Sequence, residues 1–532
     1  MRPIKSAIHP KSQNYLENHQ QMTKLVEELQ GHLQKSLFQG KEKHIAKAQK
    51  AGKMLARERI ELLLDQDSFF LELLPLIGLQ GKGFGPGGTA VCGIGLVANR
   101  LCMINANVGS NRGGSIDKAT LDKSIRMSEI AMENGLPVIN LVESSGANLP
   151  EQEQIFNYGG TIFREITRRS RKNYATISVV FGNSTAGGAY IPGMSDYTIM
   201  VKKKAKVFLA GPPLVKMATN EITDDESLGG AEMHSTISGV SDYLAENELD
   251  AIRMAREVMA QIKPSPAQLP EDSTVEEPLY DAEELLGIVP ADIRKPIDAR
   301  ELIARVVDGS KFSEFKPNYG TTLITGYAKV HGYKIGIIAN NGVILSEAAN
   351  KATHFIQLCN RDNIPLLYLQ NTTGFMVGRA YEEGGIIKDG AKMLNAVSNS
   401  DVPTITIMIG ASYGAGNYAM NGRAYQPRFL FSYPNSKIAV MGPQQLSGVM
   451  EIIQRAAAQK AGIEYDEEQS AQLRQYMIQQ VEQSSTAWYS TSQGWDDGVI
   501  DPRETRNYLA VCLATIHNQP IEGTKDFGIF RM

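Results

Sequence analysis

Cysteine is scarce: Cys92, Cys102, Cys359 and Cys512 are the four in 532 residues, far apart and without a Cys-x-x-Cys pair. That spacing excludes a zinc ribbon and a disulfide framework, and it suits a reducing cytoplasm. Gly-x-x-x-x-Gly-Lys-[Ser/Thr] and His-Glu-x-x-His do not occur, so P-loop chemistry and a zincin-type metal site are not expected. The glycine-rich G85-P-G-G-T-A-V-C-G-I-G95 lacks dinucleotide-loop spacing and reads as turns between strands. Net charge is also small, -4 from 54 Lys and Arg against 58 Asp and Glu, so no nucleic-acid partner is expected. The basic runs R168-R-S-R-K172 and K202-K-K-A-K206 read as solvated faces; the other reading is a patch for an anionic cofactor tail. M-R-P-I-K-S-A-I-H-P has no apolar stretch, so no secretory signal is expected. Val402 to Gly422 is uncharged over spanning length, but Pro403 and four glycines make it a buried strand, a turn and a helix start. No membrane contact is expected.

What is present is size and repetition. A chain of 532 residues with 42% hydrophobic and 21% charged residues is globular and too long for one core. Met22 to Leu64 reads as amphipathic helix, with Leu25, Leu29 and Leu33 at helical spacing. Lys263 to Pro296 holds six prolines and the acidic cluster E271-D-S-T-V-E-E277, a linker composition. The expected organisation is therefore a domain over 1–262, a linker over 263–296 and a second domain over 297–532. The halves match in sequence: L136-P-V-I-N-L-V-E-S-S-G146 returns as I364-P-L-L-Y-L-Q-N-T-T-G374, an offset of 364 - 136 = 228. The same offset carries T176-I-S-V-V-F-G182 onto T404-I-T-I-M-I-G410, and A186-G-G-A-Y190 onto G414-A-G-N-Y418. Short β-rich runs alternate with helical stretches in both copies, which gives an α/β fold with ligands at the carboxyl ends of strands.

G410-A-S-Y-G414 has the form of a nucleophile elbow, with Ser412 as nucleophile and an acid (Asp496, Asp497 or Asp501) followed by His517 as partners. Its own duplicate, G182-N-S-T-A186, keeps the serine but not the elbow. Both copies keep the small pair that follows, Gly187-Gly188 and Ala415-Gly416, which leaves backbone N–H groups open to an oxyanion. Glu143 and Asp196, near these turns, either position a substrate or cap strands.

At these residues the chain resembles the carboxyltransferase β-subunits of biotin-dependent acyl-CoA carboxylases, over nearly its whole length. The resemblance rests on S-G-A-N-L-P from Ser145, T-A-G-G-A-Y-I-P from Thr185, F208-L-A-G-P-P-L-V-K216, Q370-N-T-T-G-F-M-V-G378, Y413-G-A-G-N-Y-A-M420 and W-D-D-G-V-I-D-P from Trp495. It is most similar to the 3-methylcrotonyl-CoA and geranyl-CoA members. The resemblance implies two duplicated crotonase-like ββα-superhelix domains. It implies that Gly187 and Gly188 hold an acyl thioester oxygen and that Ala415 and Gly416 hold the carbonyl of biotin. Ser144, Ser145, Gly146, Ala147, Gly159 and Ala186 would line the acyl-CoA site, and Thr373, Gly374, Phe375, Tyr413 and Gly414 the biotin site. Biotin would arrive on a separate α-subunit carrying biotin carboxylase and carrier, since no Ala-Met-Lys-Met site occurs, and no metal would be bound. A homohexameric core, a trimer of dimers, would share its sites between an N-domain and a partner's C-domain.

Three departures stand out. The family's Asp-Ser-Gly-Gly-Ala is E143-S-S-G-A147, Gly-Gly-Glu-Gln is Gly442-Pro443-Gln444-Gln445, and a phenylalanine is replaced by Gly159 in what reads as a shortened loop. A roomier acyl pocket at Gly159 favours geranyl-CoA over 3-methylcrotonyl-CoA. The competing readings are a serine hydrolase using Ser412 and a scaffold that only docks a biotin carrier.

Overall fold

The structure is a computed structural model that describes residues 2–81, 83–270, 275–462 and 465–532. Two sheets dominate it, each with eight strands among the described residues. In the first, Phe70–Glu72, Ala90–Val97, Arg100–Asn107, Val138–Ser144, Thr176–Thr185, Tyr197–Val201 and Tyr243–Ala245 lie side by side, and Lys206–Phe208 joins the far end of Thr176–Thr185. In the second, Lys311–Glu314, Leu323–Val330, Tyr333–Asn340, Leu366–Thr372, Thr404–Tyr413 and Phe429–Ser432 follow the same order, and Lys437–Ala439 joins Thr404–Tyr413. An antiparallel hairpin starts each sheet and parallel strands continue it. The long parallel strands are buried along nearly their whole length because both faces are covered.

The repeat read in the sequence recurs in the strand register. Leu141 pairs with Val179, and 228 residues on Leu369 pairs with Ile407. Both ladders then shift and resume at one more pair, Ser144 with Ser184 and Thr372 with Ser412. The helices Lys118–Glu133 and Ser346–Arg361 also correspond, and each buries a lysine completely. Lys123 Nζ donates to the Ala90 carbonyl at 2.8 Å and Lys351 Nζ to the Leu323 carbonyl at 2.8 Å, so each pins the start of its sheet's hairpin.

The N-terminal segment does not form one helical run. Gln13–Ser36, Glu42–Lys50 and Ala56–Leu63 are separate helices. Gly40, at φ +123°, breaks the first from the second, and a side chain there would run into the Ser110 carbonyl. The first helix buries Met22, Val26 and Leu29, and the first two of these sit in a core shared with Leu285, Leu286 and the second sheet. Arg2–Pro3 adds an edge strand to that sheet, with Arg2 opposite Phe312. In the proline-rich stretch, E271-D-S-T274 lies outside the described residues. Ala282–Glu284 and Leu285–Ile288 form short helical turns whose apolar residues are buried. One core thus runs between the two halves, and a second fills the outer face of the first sheet.

Candidate active site

The long strands Thr176–Thr185 and Thr404–Tyr413 each end in one left-handed residue, Ala186 at φ 54° and Gly414 at φ 55°. Glycine adopts this conformation freely; alanine pays on the order of 1–2 kcal/mol for it. Both copies thus turn at the same place on a residue of positive φ, and only Ala186 is strained there. Helical turns follow, Ala186–Ala189 leading into Tyr190–Met194, and Ala415–Ala419. The first N–H groups of a helix have no intrahelical acceptor. Gly187 on the first sheet, and Ala415 and Gly416 on the second, stand at the first two positions of these turns, whereas the 3-10 turn engages the Gly188 N–H with the Thr185 carbonyl. Gly187 is exposed and Gly188 half-buried, whereas Gly416 is buried behind an exposed Ala415.

The strand alongside each turn supplies a second bend. Ser144 Oγ accepts from the Gly146 N–H at 3.2 Å and donates to the Gly114 carbonyl at 2.6 Å. Thr372 Oγ1 accepts from the Gly374 N–H at 3.1 Å. Gly146 and Gly374 sit at φ +91° and +119°. They back directly onto the turns: a Cβ on Gly146 would lie 3.4 Å from the Thr185 carbonyl, and a Cβ on Gly416 2.9 Å from Gly374 Cα. The structure therefore brings Ser144, Gly146 and Ala186–Gly188 together on one sheet, and Gly374 and Tyr413–Gly416 together on the other. Ser145, Ala147 and Thr373 are exposed beside these bends, and Phe375 packs half-buried on Gly390, where a Cβ would meet its ring at 3.0 Å. No hydrogen bond joins the two sets among the described residues.

Gly159 does not lie in a loop. It sits within the helix Gln152–Arg171, which persists across Gly159-Gly160 because Ile155 and Ile166 are buried beneath it. A Cβ at Gly159 meets nothing within 4 Å, while Phe163, one turn on and on the same face, lies 3.5 Å from a Cβ on Gly187.

The nucleophile reading of Ser412 fails on geometry. Ser412 is fully buried; its Oγ donates to Gln370 Oε1 at 2.9 Å and accepts from Asn417 Nδ2 at 2.7 Å. His517 bonds its own helix at the Leu513 carbonyl, Asp501 is taken by Arg503, and Asp496 by Ser432. The serine is a staple under the turn. Ser184 plays the matching part, donating to the Gly188 carbonyl at 3.0 Å. Sequence reading missed this role, although the serine shared by the two copies was its signal. The cysteines are no better as nucleophiles: all four are buried, and burial pushes Cys92 up to about 11.

Residues 47–529 match the carboxyl transferase domain family. The chain belongs to this family. It is 55% identical over 533 residues, 99% of this chain and 100% of the other, to a probable biotin-dependent acyl-coenzyme A carboxylase beta2 subunit of Mycobacterium tuberculosis. It is 45% identical to the mitochondrial methylcrotonoyl-CoA carboxylase beta chain of Dictyostelium discoideum, covering 99% of this chain and 91% of that one. Among solved structures it resembles the beta subunit of P. aeruginosa geranyl-CoA carboxylase, with a TM-score of 0.90, 43% identity and full coverage of both chains. The two matching halves are the family's duplicated crotonase-like domains, and the chain is an enzyme of the carboxyltransferase kind.

Two ionic clusters support the carboxyltransferase turns, and neither was visible in the sequence. Glu143 bonds Lys53 at 2.5 Å and Arg59 at 2.8 Å, and Arg59 reaches on to Glu248 at 3.0 Å while lying over the Phe181 ring. Burial works to raise the Glu143 carboxyl, but Arg59 and Lys53 overcome it and hold it low, so Glu143 is an anion committed to structure. Asp196 is a cap, accepting from the Thr176 N–H at 2.8 Å. The second cluster is the Asp496-Asp497 pair, both fully buried. Asp497 takes Arg126 of the first half and Arg423 of the second, each at 2.8 Å. Asp496 accepts from Ser432 Oγ at 2.8 Å on one oxygen, and burial, outweighing the hydrogen bonds of Thr491 and Ser432, pushes it up to about 6.

Asp496 gives a prediction about pH. Its folded pKa lies above the value of about 3.9 for an unfolded Asp, so the stabilisation is complete below pH 4 and is lost as pH rises through 6. Above that, an ionised Asp496 costs on the order of 3 kcal/mol. Asp496→Asn should raise the thermal midpoint at pH 8, with the gain gone at pH 4. A midpoint difference that does not change with pH would contradict the assignment.

Proposed function

We propose that this chain moves CO2 from carboxybiotin to a branched, α,β-unsaturated acyl-CoA. The observation that carries the reading is the duplicated turn at the two strand ends, each with a residue at positive φ and with the first amides of the following helix, Gly187 on one sheet and Ala415 and Gly416 on the other, free of the helix ladder. Such donors stabilise an oxyanion without covalent chemistry, and losing one costs about 10²–10³ in rate. Two such turns suit a transfer that places negative charge on two oxygens. The turn at Gly187 and Gly188 receives the acyl thioester oxygen as the γ-methyl proton leaves, and that at Ala415 and Gly416 receives the ureido oxygen. Ser144, Ser145, Gly146, Ala147 and Ala186 border the first pair, and Thr373, Gly374, Phe375, Tyr413 and Gly414 the second. Biotin, carried by a partner subunit with biotin carboxylase and carrier, supplies the CO2 and the base. Gly416 backs onto Gly374 with no room for a side chain, which fixes where its amide sits.

Geranyl-CoA is the favoured substrate and 3-methylcrotonyl-CoA the next. Gly159 and Phe163 share the helix face that looks onto Gly187, and the space over Gly159 is open. Gly159→Phe should shift kcat/KM toward 3-methylcrotonyl-CoA by about 10-fold or more, from the loss of room for several methylenes. An unchanged ratio would remove Gly159 from the pocket. Exposed apolar residues on Pro212–Thr219 (Leu214, Met217) and on Pro443–Ala461 (Val449, Ile452) support pairing of one chain's first half with a partner's second half in a hexameric core. Among the described residues no helix is long and apolar enough to cross a membrane, and a cytoplasmic site of action is proposed.

The test is bicarbonate fixation by the chain with a purified biotin-bearing partner, over a panel of acyl-CoAs. Fixation confined to branched unsaturated acyl-CoAs is the expected result. No fixation with any acyl-CoA would leave only the docking-scaffold reading.

A further inference from the structure

Five arginines are buried to nine-tenths or more, and four of them hold carboxylates. Arg59 bonds Glu143 and Glu248, Arg126 bonds Asp497, Arg305 bonds Glu284 and Glu301, and Arg506 bonds Asp308. The fifth, Arg169 near the end of the helix Gln152–Arg171, is 2% exposed and has no ion pair among the described residues. Its neighbours are engaged elsewhere: Glu165 with Arg164 and Arg168, and Asp196 with Ser170 Oγ and the Thr176 N–H. Arg169 Nη1 donates to Ser128 Oγ at 2.5 Å, and its Nε is buried without a partner. A buried, uncompensated cation is costly unless something negative or strongly hydrogen-bonding meets it.

Arg169 faces a chamber of about 30 Å3 between this helix and the first sheet, lined also by Asn105, Asn140, Ser128, Ile162 and Ile166. One water-sized probe occupies roughly 10–15 Å3, so the chamber has room for a small ion. Its wall also holds Asn107, Thr120 and Ser124: Asn107 Oδ1 accepts from the Glu143 N–H, Thr120 Oγ1 from the Thr89 N–H, and Ser124 Oγ donates to the Thr120 carbonyl. Asn140 spends its carbonyl oxygen on Asn105 Nδ2, at 3.2 Å, and its own Nδ2 donates to nothing among the described residues. Asn105 Oδ1 is taken by the Cys92 thiol at 3.3 Å. Ser128 Oγ already accepts from Arg169. What the chamber offers is a guanidinium N–H and a carboxamide N–H without acceptors, beside a full positive charge. Burial pulls Arg169 down only to about 10, so it remains a cation at neutral pH.

The geometry points to a binding site for a single monovalent anion of halide size in this chamber, held by Arg169 Nε and Asn140 Nδ2. A carboxylate side chain cannot serve, because none reaches in, and the apolar residues Ile162 and Ile166 limit the space for a chain of waters. The ion ties the helix that carries Gly159 and Phe163 to the strand Val138–Ser144 that carries Ser144.

Crystals of the wild-type chain in sodium bromide should show an anomalous peak within hydrogen-bond distance of Arg169 Nε and Asn140 Nδ2. Ordinary water density there without an anomalous signal overturns the proposal. In solution, the thermal midpoint should rise with sodium chloride relative to sodium gluconate at equal ionic strength, by about 1–2 °C per tenfold chloride, since gluconate is too large to enter. Arg169→Met should abolish the difference between the salts; a chloride effect that survives in this variant also overturns the proposal. Should Arg169→Met fail to fold, the bromide crystals and the wild-type salt comparison decide.

Discussion

Gly416→Ala should lower carboxyl transfer by about 10²–10³-fold, the range expected when one oxyanion donor is misplaced. The added methyl carbon would lie 2.8 Å from Thr372 Cγ2 and 2.9 Å from Gly374 Cα, and Gly374 cannot retreat easily because it is already at φ +119°. The helix start must shift outward, carrying the Ala415 and Gly416 amides with it. The same substitution at Gly187 meets only Phe163, at an ordinary 3.5 Å, so its effect arises from the methyl entering the acyl site and not from a displaced backbone. Ser412→Ala provides the contrast. It leaves Gln370 Oε1 and Asn417 Nδ2 without their partner, at a cost of about 1–3 kcal/mol in stability, but it should keep activity within about tenfold. Radiolabelled bicarbonate fixation, with the thermal midpoint as control, separates the two. Wild-type turnover in Gly416→Ala, or labelling of wild-type Ser412 by a fluorophosphonate, would end the amide reading.

Much of this site was legible in the sequence because it was written twice. The offset of 228 matched residues before any strand was placed, and in the structure it joins left-handed Ala186 to Gly414, the Ser144–Ser184 pair to Thr372–Ser412, and Lys123 to Lys351. What stayed hidden depends on distance along the chain. Glu143 read as a substrate-positioning residue or a strand cap, and it is Lys53 and Arg59, 90 and 84 residues away, that fix its charge and its role, with Glu248 holding Arg59. Gly159-Gly160 looked like a loop because glycine propensity is local, whereas the helix there is sustained by buried Ile155 and Ile166. The edge strand Arg2–Pro3 is only two residues long and carries no periodicity, so its place in the second sheet could not be read ahead of the fold.

Asp497→Ala is expected to be the most destabilising single change, by about 3–5 kcal/mol, because it takes the buried carboxylate from both Arg126, left with the exposed Glu129 at 3.4 Å, and Arg423. Burial alone would raise the Asp497 carboxyl; Arg126 and Arg423 reverse this and hold it at about 2, so its contribution is complete above pH 4 and lost as pH falls through 2. The loss would not stay local. The Asp497 N–H donates to the Leu430 carbonyl, its carboxylate accepts from the Leu430 N–H at 2.8 Å, and its own carbonyl accepts from Leu74 of the first half at 2.8 Å, so the clamp closes the seam between the two domains. Arg423 follows directly on Gly422, whose N–H bonds the Asn417 carbonyl at 2.8 Å at the end of the short helix opened by Ala415 and Gly416. Freeing Arg423 should therefore loosen the turn at Gly414–Gly416 before the chain unfolds. Urea unfolding at pH 7 should show the fall in midpoint, and Asp497→Asn, which keeps one acceptor oxygen but loses the other and the charge, should fall between Asp497→Ala and wild type. Equal midpoints for Asp497→Ala and wild type would mean that the two arginines find other partners and that the seam is held by its apolar core alone.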